Sequence, residues 1–298
     1  PARPLQIRPA WFRQSGWPGK SRPAGAKHRI RRALANVPDY SNLPPLRDVI
    51  AAYGLSARKS MGQNFLLDLN VTRRIAGTAG PLDGKTVLEI GPGPGGLTRA
   101  LLETGARQIV AVERDARCIE ALGDLASIAG DRLQIIEQDA LAVNPAALAE
   151  PESPLCVIAN LPYNIATPLL IGWLKRIELF DRLLLMFQKE VADRIIASPG
   201  SKTYGRLSVA AQWRCEVKPL FTLPARAFTP PPKVDSTVVE FVPRREPLAK
   251  ADGDALESVV AAAFSQRRKM LRSTLKTVFA NAESTLIKAG IDPTARAE

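Results

Sequence analysis

Residues 87–98, reading VLEIGPGPGGLT, constrain the fold more than any other stretch of the chain. A mostly apolar run, broken only by Glu89, enters a glycine-dense turn and leaves it as a helical pattern. A strand apolar on both faces must be covered on both, which a parallel sheet with crossover helices achieves. Glycine lets the backbone turn sharply and lets a ligand approach with no Cβ in the way. In an open α/β sheet, the carboxyl end of this first strand is where ligands bind.

The surrounding pattern extends that reading. Apolar, β-branched runs at 86–90, 108–112, 133–136 and 155–159 alternate with helical patterns at 97–103, 116–125 and 168–177. This alternation specifies an open, Rossmann-like α/β sheet of parallel strands. Runs at 183–187, 209–217 and 237–242 are expected to complete it, the last as a half-buried edge strand. Upstream, 46–50 is a short amphipathic run and 68–79 reads as a helix. After 243 the pattern becomes purely helical, at 255–264 and 267–279, and 291–298 reads as the opening of another helix. The expected organisation is an extension over 1–38, a catalytic α/β domain over 39–243 and a small all-helical domain over 244–298, for which a truncated end is one reading.

Charge divides the chain in the same way. Nine of the 41 basic residues precede Asp39, the first acid, which leaves 32 bases against 29 acids for the rest. With Pro1, Pro4, Pro9, Pro18 and Pro23, the basic arm is expected to be disordered. An organellar transit peptide, or sequence translated ahead of the true start, are the competing readings. The single histidine, His28, lies in this arm, so the body has no histidine for a metal site or a Ser-His-Asp triad. Cys118, Cys156 and Cys215 are odd in number and far apart, which suits neither a disulfide framework nor a cysteine metal site. No metal is expected. No apolar run approaches the roughly twenty residues of a membrane span, and a cytoplasmic monomer is the expectation.

The turn at Gly91, Gly93 and Gly96 also satisfies a dinucleotide fingerprint, with Glu113 about twenty residues on as the ribose-binding acid. Two features favour a methyl donor instead. Glu89, two residues before the first glycine, suits a cationic amino acid and sulfonium better than a pyrophosphate, and Pro92 and Pro94 remove N–H groups that a phosphate cradle would use. Asp139, after the third strand, can accept from the cofactor's adenine amine; an ordinary helix N-cap is the competing reading.

Asn160-Leu161-Pro162-Tyr163 follows the apolar strand at 155–159 and so falls at the same sheet edge. An exocyclic adenine amine is a poor nucleophile because its lone pair is delocalised into the ring. Two acceptors aimed at its N–H bonds favour the pyramidal transition state. The Asn160 side-chain oxygen and the Leu161 carbonyl can be those acceptors, while Pro162 fixes the turn and Tyr163 offers a stacking face. An Asn-x-Pro turn with no chemistry is the alternative. Phe228, ahead of Pro230-Pro231-Pro232, is a second stacking wall or a core plug. Together the loop and the tetrad indicate an S-adenosylmethionine-dependent methyltransferase acting on an adenine amine.

In order along the chain, Gly62-Gln63-Asn64-Phe65-Leu66, the glycine loop, the tetrad, 188–192, 204–208 and 228–236 closely resemble the ribosomal RNA adenine N6,N6-dimethyltransferase family, bacterial small-subunit branch. The resemblance runs from about residue 46 to the end. It implies a class I methyltransferase fold and cofactor contacts by Gln63, Asn64, Leu66, Gly91, Gly93, Glu113, Asp139 and Asn160. It implies catalytic handling of the base by Asn160, Leu161, Tyr163 and Phe228, and N6,N6-dimethyladenosine at two adjacent adenosines near the 3′ end of small-subunit rRNA. The partner is then the small ribosomal subunit or its precursor. A branch that methylates large-subunit rRNA, and a non-enzymatic assembly or transcription factor, are the alternatives; the long helical C-terminal part and 204–208 favour the small-subunit branch.

A target base must leave its stack to reach such a pocket, and the protein then needs a grip on the RNA backbone. Arg267, Arg268, Lys269, Arg272 and Lys276 are expected on one helix, joined by Lys202 and Arg206 in contacting phosphates. A solvated helix face is the competing reading.

Overall fold

The computed structural model describes residues 40, 43–58, 61–149 and 154–298. The arm expected over 1–38, with His28, lies outside them.

The apolar runs fold as the strands they resemble. β2 (Thr86–Ile90) and β5 (Leu155–Ala159) are buried at every residue, and β3 (Gln108–Glu113) at all but the first. With β4 (Leu133–Glu137) and β6 (Phe180–Gln188) they form five parallel strands in the order β4-β3-β2-β5-β6. The chain runs outward from β2 to β4 and then returns to the other side of β2 to lay down β5. The order therefore reverses between β2 and β5, and the crevice at their carboxyl ends is the position this topology offers to a ligand.

Helices α1 (Leu46–Ala52), α2 (Leu69–Thr78), α3 (Gly96–Leu102), α4 (Ala116–Ala129) and α5 (Tyr163–Lys175) accompany the parallel strands. Short strand β1 (Phe65–Leu66) pairs antiparallel with β8 (Phe228–Thr229), outside the main sheet. Beyond β6, α6 (Lys189–Ile195) and α7 (Arg206–Arg214) lead into β7 (Cys215–Leu223), and β9 (Ser236–Pro243) inserts antiparallel between β6 and β7. Helices α8 (Gly253–Ala263), α9 (Leu271–Thr274) and α10 (Ala282–Lys288) follow, around a small cluster of Ala262, Ala263, Leu275, Ala282 and Leu286. No helix among the described residues is long and apolar enough to cross a membrane.

Four local expectations change. Residues 206–214, expected as the start of a strand from 209, form α7, because Ala210, Ala211 and Gln212 favour helix and the Ser208 hydroxyl accepts from the Gly205 amide at its start. The run at 237–242 is an interior strand, its one partly polar face carrying Glu240 in an ion pair with Arg182 at 3.0 Å; the edge falls to β7, with exposed Glu216 and Lys218. Helix α5 begins five residues before Pro168, which sits on its exposed side where one missing backbone hydrogen bond is solvated.

The fourth change concerns 267–279. The amides of Leu271 and Arg272 are taken by the carbonyls of Ala295 and Pro293, so Arg267, Arg268 and Lys269 lie in turns ahead of a helix of one turn. By the same pairing 291–298 is drawn back along 271–272 and forms a turn rather than a helix.

The main core runs across both halves of the sheet, and the Phe187 and Phe241 rings meet edge-on within it at 6.1 Å between centroids. Both are essentially inaccessible to solvent. Replacing Phe241 with Ala removes the ring from the strand that ties β7 to the parallel sheet. The expected loss is about 3–5 kcal/mol of unfolding free energy in denaturant titration, and a loss below about 1 kcal/mol would show that β9 is not part of the cooperative core.

Candidate active site

At the reversal of strand order, the turns after β2 and β5 touch. Gly91 and Gly93 both have left-handed φ, 67° and 56°. A Cβ on Gly91 would stand 3.2 Å from Pro162, and one on Gly93 would stand 3.0 Å from the Phe65 ring. The glycine loop is thus the surface on which the Asn160–Tyr163 tetrad and the Gln63–Leu66 segment both pack. Met61, Gly62, Gln63, Asn64, Phe65, Gly91, Gly93, Glu113, Asn160, Leu161 and Tyr163 line one cavity of about 60 Å³ there. Ligand sites for small organic molecules measure about 300–1,000 Å³, so the surrounding segments must part to admit one.

The loop's amides decide which ligand class fits. Gly91 donates to the Val112 carbonyl, Gly95 to the Pro92 carbonyl and Gly93 to Glu113 Oε2, while Pro92 and Pro94 have no N–H. The turn itself therefore offers a phosphate no free amide between 91 and 95.

Two glutamates stand at the ends of β2 and β3 in different surroundings; Glu113 lines the cavity and Glu89 lies behind it. Glu89 is 1 % exposed, and Oε2 has no hydrogen-bond partner among the described residues. Burial pushes its carboxyl up to about 8, with the Thr98 hydroxyl opposing the shift and Glu113's charge adding to it. Glu113 is also buried, but Oε1 accepts from the Arg114 and Asp115 amides and Oε2 from Gly93, which satisfies the carboxylate. Oε2, with one donor, keeps acceptor capacity for a hydroxyl.

Asn160 Nδ2 donates to the Asn64 carbonyl at 3.0 Å. A carbonyl can only accept, so this contact fixes the amide's orientation and leaves Oδ1 as an acceptor. The Tyr163 hydroxyl shares a 2.6 Å hydrogen bond with Ser236 at the start of β9, which holds its half-buried ring in place. Burial raises that phenol's pKa, against the Ser236 hydrogen bond.

Other expected residues stand farther back. Phe228 is 2 % exposed, paired by its backbone with Leu66, and does not reach the cavity wall. Leu66 is likewise buried. Asp139 caps the turn that follows it by accepting from the Leu141 amide, and its second oxygen pairs with Arg114 at 2.9 Å. Lys202, Arg206 and Arg267 line a separate groove of about 940 Å³ between α5, α6 and α7 on one side and α8 on the other, together with Arg194 and Arg214. Arg268, Lys269 and Arg272 do not line it; Arg272 lies 3.7 Å from Glu283, and Arg267 pairs with Glu298. Sequence reasoning passed over Asp115, whose buried carboxylate accepts from Gln63 Nε2 at 3.2 Å, and over Ser236. The first had a signal in an acid at the first position before an amphipathic helix; the second had none.

Known proteins share this sequence and fold. The pattern of the ribosomal RNA adenine dimethylase family matches residues 54–298. A ribosomal RNA small subunit methyltransferase A from Rhodospirillum rubrum is 62% identical over 256 residues, 86% of this chain and 88% of that protein; one from Paramagnetospirillum magneticum is 60% identical over 258, 87% and 91%. Among solved structures, a dimethyladenosine transferase from Plasmodium falciparum superposes with a TM-score of 0.63 at 28% identity, covering 76% of this chain and 82% of that one. The 23S rRNA methyltransferase ErmE gives 0.60 at 30%, covering 78% and 92%.

Glu89 yields a pH prediction whose sign follows from its raised pKa. A proton held in the folded state and lost from the unfolded one stabilises the protein at low pH, and that contribution disappears as pH rises from 4.5 through about 8. Unfolding midpoints of the wild type and Glu89→Gln, measured across this range, should move in the variant's favour as pH rises. A difference that does not change with pH would mean that Glu89 ionises normally.

Proposed function

The chain belongs to the ribosomal RNA adenine dimethylase family, and from that premise we propose that it transfers methyl groups from S-adenosylmethionine to N6 of two adjacent adenosines near the 3′ end of small-subunit rRNA. The product is N6,N6-dimethyladenosine, made during ribosome biogenesis. The observation that carries this reading is the Asn160–Asn64 hydrogen bond, which turns the side-chain amide at the carboxyl end of β5 so that it accepts.

The residues fit the cofactor. Glu89 offers a buried carboxyl with an unpartnered oxygen, and Glu113 offers an acceptor at the next strand end for ribose hydroxyls. Gln63, Asn64, Leu66, Gly91, Gly93 and Asn160 would surround the amino acid and sulfonium end. Asp139 would reach the adenine by releasing Arg114. When bound, S-adenosylmethionine supplies an electrophilic methyl group that leaves a neutral thioether behind.

The chain's own groups prepare the nucleophile. Asn160 Oδ1 and the Leu161 carbonyl accept from the two N6–H bonds and so favour the pyramidal nitrogen of the transition state over the planar ground state. The methylated nitrogen is acidic and passes its proton to water, which suits a body without histidine. Tyr163, anchored through Ser236, presents a ring on which the target base stacks. Phe228 would form the opposite wall once the β1–β8 pair shifts. The groove carrying Lys202, Arg206 and Arg267, with the helical part over 244–298, would hold phosphates; Arg194, Lys202 and Arg206 form no ion pair among the described residues, which leaves them available.

Incubation of immature small subunits with tritiated cofactor should place label in dimethyladenosine, and its absence would refute the activity. Asn160→Ala should lower kcat by about 100- to 1,000-fold while leaving the affinity for RNA, measured by filter binding, near the wild-type value. Equal losses in both would remove Asn160 from the acceptor role.

A further inference from the structure

The segment that orients Asn160 has little regular structure of its own. Residues 54–58 and 61–64 form neither strand nor long helix, and the two-residue β1 begins only at Phe65. Its internal backbone hydrogen bonds are few: the Ser56 amide donates to the Gly54 carbonyl, and the Met61 and Gln63 amides donate to that of Arg58. Its position against the sheet is set instead by side chains at the start of α4. Arg117 donates to the carbonyls of Gly54 and Ser56, both at 3.3 Å. Asp115 accepts from Gln63 Nε2 at 3.2 Å, while Gln63 Oε1 accepts from the Arg58 amide at 2.9 Å. Both ends of the Gln63 amide are therefore fixed, and Asn64, whose carbonyl holds Asn160, is the next residue.

Within this arrangement we propose that Asp115 is a positioning residue for methyl transfer: through Gln63 it holds the Asn64 carbonyl where it turns the Asn160 amide with its oxygen toward the target amine. The inference rests on the function proposed above. Asp115 touches neither reacting group. Its carboxylate is 2 % exposed and held on the other side by Arg117, with 3.0 Å to Oδ1 and 2.7 Å to Oδ2. These contacts, with Gln63's, hold it ionised well below the usual carboxylate range, at about 2, so it presents an acceptor to Gln63 at any working pH. Its own amide is tied to Glu113 Oε1. The acid reserved for the cofactor ribose and the acid that fixes the acceptor amide are thus successive parts of one turn. A shift in the Gln63 contact moves Asn64 without disturbing the sheet.

Asp115 also caps α4 through the Arg117 amide, so its replacement must separate that duty from the positioning one. Asn caps as well as Asp, but Asp115→Asn turns an N–H donor toward the Gln63 amide and toward Arg117 Nη2, both donors to Oδ2. Gln63→Glu fails in the opposite sense, with carboxylate against carboxylate. The two changes together restore one hydrogen bond with donor and acceptor exchanged. The new amide at position 115 then gives to the new carboxylate at position 63, which still accepts from the Arg58 amide.

Steady-state methylation of small subunits by the full chain, with cofactor binding measured by calorimetry, provides the test. Each single variant should lower kcat by about 10- to 100-fold, the scale of a misplaced catalytic group, with KM for RNA unchanged. The double variant should recover kcat to clearly above the better single variant, short of the wild type because Arg117 Nη2, which also donates to Oδ2, stays opposed to the new amide; independent effects would simply multiply. A single variant at the wild-type rate, or a double variant no better than the better single, overturns the inference, including the case in which the variants lose activity by unfolding. A wild-type chain that transfers no methyl group would sink the proposed function itself, a different outcome from a wild-type enzyme whose swap is not rescued.

Discussion

Pro162 and Phe65 reach the glycine loop because Gly91 and Gly93 carry no side chain, and the rest of the site depends on this convergence. A methyl group at either position would stand 3.0–3.2 Å from its neighbour, tighter than ordinary packing, at a backbone conformation that residues with a Cβ rarely adopt. Three segments far apart in sequence therefore share one surface. The loop after β2 supplies the floor, the tetrad after β5 supplies the acceptors, and the segment before β1 supplies the carbonyl that orients them. Adjacent parallel strands bring the first two together; the third is brought by Phe65 packing on Gly93, the β1–β8 pairing and the side chains of Asp115 and Arg117.

The two glutamates show how environment divides the work of identical groups. Glu89 sits inside the sheet with an unpartnered oxygen and is pushed up to about 8, whereas Glu113, one strand over, has three backbone amides to satisfy its charge. Glu113 is a fixed acceptor that also shapes the turn. Because the loop's own amides are spent on the Val112 and Pro92 carbonyls and on Glu113, a pyrophosphate finds no free amide between 91 and 95.

The features legible in the sequence were those written in local chemistry. The parallel strands announce themselves by runs apolar on both faces, and the tetrad by four adjacent residues whose functions can be argued from their side chains. Features set by distant partners were not legible. Residues 209–214 look like a strand by composition and become helix once the Ser208 hydroxyl caps them. β9 alternates like an edge yet lies inside, because β7 returns to cover it. The basic run at 267–269 leaves the helix because the amides of Leu271 and Arg272 are claimed by carbonyls at 295 and 293. Asp115 escaped notice because a cap and a positioning group are the same residue type at the same place, and only the Gln63 contact tells them apart.

The proposed methyl transfer turns on one orientation, that of the Asn160 amide, and a structure of the chain with S-adenosylhomocysteine and adenosine tests it most directly. The predicted result has Asn160 Nδ2 still on the Asn64 carbonyl, with Oδ1 and the Leu161 carbonyl each about 3 Å from adenine N6. An amide that has left Asn64 and turned its nitrogen toward the base, or an adenine held elsewhere, would contradict it.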